Sequence, residues 1–121
     1  MRKKVLLVDD EVDLLKVVTF RLNKSGYEVI SAQKGEEALE LIKGKPDLVL
    51  LDICLPGMSG VEVCSIIKGD EGLKKIPVLL LTASTPGIVI EQAKRCGADD
   101  YLIKPFEAEA LLEKVKKFLG E

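Results

Sequence analysis

The sequence predicts an α/β fold, a single doubly wound five-stranded parallel sheet with five helices, and three observations lead to it. Short unbroken apolar runs, Val5-Leu6-Leu7-Val8, Leu48-Val49-Leu50-Leu51, Val78-Leu79-Leu80-Leu81 and Tyr101-Leu102-Ile103, have the composition of strands covered by helices on both faces. Segments of helical periodicity separate the strands, so strand and helix alternate five times, as right-handed crossovers require. Finally, these runs stop abruptly on polar groups: Asp9-Asp10, Asp52, Thr82 and Lys104-Pro105. In a parallel sheet those ends share one edge, where such sheets carry out their chemistry. Three carboxylates, a hydroxyl and an ammonium gathered there suit a divalent cation and a phosphoryl group.

Asp10-Glu11 opens the first helix, where carboxylates suit the positive end of the helix dipole, and Ser25-Gly26 ends it. On that helix Leu15, Val18 and Leu22 share a core-facing stripe. Val17 and Phe20 point the other way at helical spacing and are expected to be exposed, as a docking surface. The second strand covers residues 27–31, the second helix residues 35–43, and Pro46 begins the third strand. Ser59-Gly60-Val61-Glu62 is a capping box, so a helix begins just after the Pro56-Gly57-Met58 loop, and Gly69 or Gly72 ends it. Pro77 leads into the fourth strand. Pro86 is placed to open a fourth helix that terminates at Gly97. Three β-branched residues, Ile88, Val89 and Ile90, sit in its first turns and predict either a frayed, late start or burial of two of the three. Residues 106–119 form a last amphipathic helix carrying Leu111, Leu112, Val115, Phe118 and Leu119 on one stripe. With no linker, repeat or low-complexity stretch, residues 1–121 read as one domain.

Composition narrows the function. The chain has 121 residues, 47% of them hydrophobic, enough for one core. Its 18 basic and 20 acidic residues leave a formal charge of -2 with no basic run, which argues against direct nucleic-acid binding. Cys54, Cys64 and Cys96 are odd in number, far apart and free of any Cys-x-x-Cys pair, and the chain has no histidine. Reduced, mostly buried thiols in a cytoplasmic protein are therefore expected, rather than a zinc site or a disulfide framework. The lack of histidine also removes the usual general base and the usual activator of a Ser or Cys nucleophile, which excludes triad hydrolysis. Too few apolar residues follow the basic start, Met1-Arg2-Lys3-Lys4, for a signal peptide or a membrane span.

Five motifs fall in register over the whole length: Val8-Asp9-Asp10-Glu11; Asp47-Leu48-Val49-Leu50-Leu51-Asp52; Leu55-Pro56-Gly57-Met58-Ser59-Gly60; Pro77-Val78-Leu79-Leu80-Leu81-Thr82-Ala83; and Gly97-Ala98-Asp99-Asp100-Tyr101-Leu102-Ile103-Lys104-Pro105-Phe106. Together they make the chain resemble the receiver domain of bacterial two-component response regulators, of the chemotaxis-regulator kind. The resemblance implies the flavodoxin-like strand order 2-1-3-4-5. It implies that Asp52 accepts a phosphoryl group from a sensor histidine kinase or a histidine phosphotransfer protein, the partner bringing the histidine this chain lacks. Mg²⁺, or Mn²⁺, would be held by Asp10, Asp52 and the backbone carbonyl of Cys54, with Asp9 acting through water; a hard cation with oxygen ligands relieves the repulsion among such carboxylates. Thr82 would hydrogen-bond one phosphoryl oxygen, and Lys104 would pair with another, or with Asp52 when the site is empty. Lys104-Pro105 is expected to be cis.

The family places a rotamer switch at Tyr101 that follows movement of Thr82, so the fourth helix, fifth strand and fifth helix would be the output face. That face also implies a phosphorylation-dependent homodimer and a downstream protein target. The family's first helix meets the histidine-bearing partner, which makes Val17 and Phe20 candidate kinase contacts. Cys54 and Ser84 stand where acidic or amide side chains are often seen; neither orients an in-line water well, so a long-lived phosphoryl group is expected. Singly, each site residue has a plain structural role: Asp9-Asp10 a solvated helix start, Asp52 a strand-end acid, Thr82 a β-former, Lys104 a surface charge. Two other functions compete. A haloacid-dehalogenase-type phosphatase also uses Asp, Thr, Lys and Mg²⁺, but wants a second Asp where this chain has Cys54, and a cap domain. A binding module with a dead site is opposed by the presence of Asp10, Asp52, Thr82 and Lys104. Flavin or dinucleotide binding lacks its Gly-rich loop. Ending just after the fifth helix, the sequence is expected to be a single-domain regulator or a receiver from a longer protein.

Overall fold

A computed structural model describes residues 2–120 of the chain. The order of elements is β1 (Lys4–Val8), α1 (Val12–Lys24), β2 (Glu28–Ala32), α2 (Gly35–Leu41) with a 3₁₀ turn (Ile42–Gly44), β3 (Leu48–Asp52), α3 (Gly60–Gly69), β4 (Val78–Thr82), α4 (Pro86–Cys96), β5 (Asp100–Ile103) and α5 (Ala108–Leu119). All strand pairs are parallel, in the order β2-β1-β3-β4-β5. Alternation along each strand sorts the side chains into two cores. Leu6, Val8, Val49, Leu51, Val78 and Leu80 face α2, α3 and α4. Val5, Leu7, Leu48, Leu50, Leu79 and Leu81 face Leu15, Val18 and Leu22 of α1 and Leu111, Leu112 and Val115 of α5. The central strands are buried on both sides, which is why their sequences carry no polar alternation.

Several boundaries differ from the sequence reading, each for a local reason. β2 runs one residue later than expected, and Tyr27 is buried just before it. The second helix tightens into the 3₁₀ turn at Ile42 because Lys45 adopts a left-handed backbone, φ 52°, and its N–H bonds the Ile42 carbonyl at 2.9 Å. Asp47 stays outside β3 and accepts the Lys4 N–H at 2.8 Å, tying the start of β1 to the approach of β3. The Lys104-Pro105 bond is cis, and α5 starts at Ala108. For α4 neither expectation holds. The helix starts on Pro86 without delay, since a proline there gives up an N–H that has no helical partner. Of its three β-branched residues only Val89 is buried, on a stripe with Ala93 and Cys96, while Ile88 and Ile90 are exposed.

Other readings stand. Val17 and Phe20 are 60% and 63% exposed, opposite the buried stripe of α1. Ser59 caps α3, accepting the Glu62 N–H at 3.2 Å. Ser59→Ala should therefore lower the unfolding free energy by about 1 kcal/mol, read as a lower urea midpoint with an unchanged slope. Among the described residues, no helix is long and apolar enough to cross a membrane.

Candidate functional site

Register sets the site. Val8 pairs with Leu51, so Asp9 lies level with Asp52; Asp52 pairs with Leu81, so Thr82 lies one residue beyond it; Thr82 pairs with Ile103, so Lys104 lies one further. Alternation then chooses the face. Val8, Leu51 and Ile103 pack on the α2–α4 side, which turns Asp9, Asp52 and Lys104 toward α1 and α5. Thr82 follows Leu81, which faces α1 and α5, so it takes the α2–α4 side, the side on which Tyr101 packs half-buried.

The strand ends share one local device. Asp9 accepts the N–H of Glu11 at 2.9 Å, Asp52 that of Cys54 at 3.2 Å, and Thr82, fully buried, that of Ser84 at 3.0 Å. Each is a side chain bonded to the backbone two residues on, which stops the strand and turns the chain. For Asp9 and Asp52 this engages Oδ1 and leaves Oδ2 for Lys104. The ammonium lies 2.8 Å from Asp9 Oδ2, 3.2 Å from Glu11 Oε1 and 3.7 Å from Asp52 Oδ2. The expectation that Lys104 pairs with Asp52 is thus corrected in rank: Asp9 is its hydrogen-bond partner and Asp52 its longer ion pair. Glu11, read from sequence as a helix opener and the end of the first motif, is a third partner; the acidic run after β1 was the available signal.

Asp9, Asp10 and Asp52 each bring a carboxylate oxygen within 4.8 Å of the others, Asp9 and Asp52 buried and Asp10 exposed. One ammonium does not balance this cluster. Burial, then the Asp9 charge, and lastly that of Asp10, push the Asp52 carboxyl up to about 6, against the pull of Lys104 and the Cys54 N–H. For Lys104, burial works to lower the pKa, but the hydrogen bond to Asp9 and the charges of Asp52 and Asp9 outweigh it and raise it, so the ammonium stays charged. An all-oxygen donor set with surplus negative charge fits a hard divalent cation. Of the residues singled out from sequence, Asp9, Asp10, Asp52 and Lys104 come together. Cys54 sits beside them with its thiol exposed, whereas Cys64 and Cys96 are buried. Thr82 occupies the adjoining strand end with its hydroxyl turned to its own loop, and Tyr101 packs behind it on the same face, opposite the carboxylates.

Gly60, which the sequence presents in the capping box and at the end of the motif of residues 55–60, packs against the backbone of Asp52. A Cβ there would lie 2.1 Å from the Asp52 carbonyl oxygen and 2.7 Å from the Ile53 Cα. Its N–H bonds the Ile53 carbonyl at 2.8 Å. The start of α3 is therefore seated directly on the backbone that carries Asp52.

The chain is similar to known proteins in sequence and in fold. The family model described as the response regulator receiver domain matches residues 5–116. The chain is 38% identical over 117 residues to the DNA-binding response regulator MtrA of Mycobacterium tuberculosis, covering 96% of this chain and 50% of that one. It is 40% identical over 120 residues to the alkaline phosphatase synthesis transcriptional regulatory protein PhoP of Bacillus subtilis, covering 98% and 49%. The chain spans about half the length of these curated relatives. Among solved structures, the chemotaxis response regulator CheY4 of Vibrio cholerae superposes with a TM-score of 0.91 at 33% identity, covering 98% of this chain and 99% of that one. DrrB of Thermotoga maritima, an OmpR/PhoB homologue, gives 0.89 at 36%, covering 99% and 54%. The cluster of Asp9, Asp10 and Asp52 resembles the metal-binding site typical of phospho-accepting receivers, and the chain belongs to the response regulator receiver domain family.

Proposed function

We propose that residues 1–121 form one receiver domain in which Asp52 takes a phosphoryl group from a phosphohistidine of a sensor kinase or phosphotransfer protein. The observation that carries this reading is the seat of Asp52: a buried carboxylate at the end of the central strand, flanked by two other carboxylates and one ammonium. In the transfer an Asp52 oxygen bonds to phosphorus as the bond from phosphorus to the partner's histidine nitrogen breaks. Asp10, Asp52 and the Cys54 carbonyl would hold Mg²⁺ or Mn²⁺, with Asp9 holding it through water. When bound, the ion neutralises charge on the phosphoryl oxygens. Lys104 pairs with a phosphoryl oxygen as a compact point charge. Thr82 donates its hydroxyl proton to another; its oxygen, which accepts the Ser84 N–H, turns from its own loop in exchange for that charge-assisted bond.

That exchange draws on the face that Thr82 shares with Tyr101. Movement of the Thr82 loop opens space toward which the Tyr101 ring can turn, so phosphorylation biases α4, β5 and α5 between two arrangements. This surface would meet a downstream protein or a second copy of the domain. Val17 and Phe20 on α1 would meet the kinase. Beside Val17 a groove of about 540 Å³ between α1 and α5, lined by Leu14, Phe106 and Leu111, opens next to Lys104. Cys54 and Ser84 place no strong base over the site, which gives a phosphoryl group longer-lived than in fast chemotaxis-type receivers.

Intact mass after incubation with acetyl phosphate tests the reading. One phosphoryl adduct that requires Mg²⁺ is expected. Rapid turnover of phosphate esters would favour the phosphatase, and no adduct on folded, Mg²⁺-bound protein would favour a phosphorylation-independent binding module. Asp10→Asn should weaken Mg²⁺ binding by about tenfold or more, measured by titration calorimetry, since even outer-shell partners of a metal are worth that much.

A further inference from the structure

Two of the three thiols are neighbours across a helix interface away from the phosphoryl site. Cys64 lies in α3 and is fully buried; Cys96 lies in the last turn of α4 and is nearly so. The Cys64 sulfur is 3.5 Å from the Cys96 carbonyl oxygen, to which its thiol donates. The Cys96 sulfur is 3.8 Å from the Ala93 carbonyl oxygen. The neighbouring Cys64 thiol, ahead of the Ala98 N–H and the Lys68 ammonium, lowers the Cys96 thiol against the opposing effect of burial. The neighbouring Cys96 and burial push the Cys64 thiol up. Of the two neighbours, Cys96 is the more readily deprotonated and Cys64 the one that keeps its proton.

We propose that Cys64 and Cys96 form an oxidisable dithiol, which a small hydroperoxide converts to a disulfide joining α3 to α4. The Cys96 thiolate attacks the terminal oxygen of hydrogen peroxide; the O–O bond breaks, hydroxide leaves, and a sulfenic acid remains on Cys96. Cys64 then attacks the Cys96 sulfur, the S–O bond breaks, and the expelled hydroxide takes the Cys64 proton as water. In sum, two thiols and one peroxide give one disulfide and two waters. The product ties the C-terminal end of α4 to α3, so it restrains one element of the proposed output face. Formation of the bond does not depend on Asp52 chemistry.

The exposed Cys54 serves as an internal control, and the test needs no substituted protein. Folded protein is treated with hydrogen peroxide, quenched, unfolded, alkylated with iodoacetamide and mapped by mass spectrometry. Expected is a product two hydrogens lighter than the starting chain, with the peptides of Cys64 and Cys96 joined, Cys54 outside the bond, and reversal by dithiothreitol. The oxidised protein should also show a higher urea midpoint, because the link closes a loop in the unfolded chain. Free, alkylated Cys64 and Cys96 after oxygen has been added at Cys54 would overturn the proposal. So would a disulfide that includes Cys54.

Discussion

Asp52→Asn is expected to abolish the phosphoryl adduct and, in the same protein without metal, to raise stability. The first effect follows from removing the nucleophilic carboxylate: an amide of the same shape cannot form the acyl phosphate. No adduct should be detected under conditions that fully label the wild type. The second follows from electrostatics. In the folded chain burial and the Asp9 and Asp10 charges raise the Asp52 carboxyl from 3.8 to about 6. The unfolded chain therefore releases this proton first as pH rises, and folding opposes its loss. The sign is fixed: the penalty is absent below about pH 4, grows as pH rises to about 6, and is fully present at neutral pH. Allowing for screening by solvent, it costs the fold about 1–2 kcal/mol at pH 7. The asparagine keeps an oxygen to accept the Cys54 N–H and carries no charge. Urea unfolding at pH 7 without metal should show Asp52→Asn the more stable, with the difference vanishing near pH 4. Mg²⁺ should stabilise the wild type more than the variant. Equal stability at pH 7 would show that the carboxylate is not strained in its seat.

Gly60→Ala is expected to carry the largest stability loss of any single methyl addition at a glycine in the described chain. Helix propensity alone favours alanine over glycine by up to about 1 kcal/mol, and Gly60 opens α3. Sterics reverse the sign. The added carbon would lie 2.1 Å from the Asp52 carbonyl oxygen and 2.9 Å from its carbonyl carbon, and these are backbone atoms of the central strand. Either α3 lifts off or the end of β3 shifts, so the loss should reach about 3 kcal/mol or more, the upper range of overpacking. The displaced Asp52 backbone should weaken Mg²⁺ binding in whatever protein folds. Gly87→Ala is the matched control. It too lies in the first turn of a helix, with nothing within 4 Å of the added carbon, and should be neutral or stabilising by up to about 1 kcal/mol. Similar unfolding midpoints for the two variants would remove Gly60 from its role in seating Asp52.

Much of this molecule was legible in its sequence, for an identifiable reason. A strand between two helical layers must be apolar along its whole length, so Val5-Leu6-Leu7-Val8 and its counterparts advertise both their conformation and their burial. Where such a run meets Asp, Thr or Lys, the register of a parallel sheet leaves only one edge for those groups, and the acidic cluster follows. Ser59 and Glu62 declared the start of α3 because the bond from the Glu62 N–H to the Ser59 hydroxyl closes within four residues. The helix-one stripe and its exposed reverse face were equally local, being a matter of spacing.

What the sequence left open depends on atoms brought together from distant parts of the chain. That Lys104 bonds Asp9 in preference to Asp52, and recruits Glu11, depends on side-chain reach across β1, β3 and β5. Whether Ile88 and Ile90 are buried was decided by which stripe of α4 meets the sheet, and the stripe of Val89, Ala93 and Cys96 won. The contact of Gly60 with Asp52 and the meeting of Cys64 with Cys96 join positions separated by a loop and by a whole crossover. Sequence by itself determined the fold class, the strand ends and the identity of the charged groups, because periodicity and composition act over a few neighbouring residues. Only the tertiary structure decided which charge neutralises which, how far the Asp52 carboxyl is raised, and which thiols touch, because these depend on distances and burial that exist only after the helices have packed on the sheet.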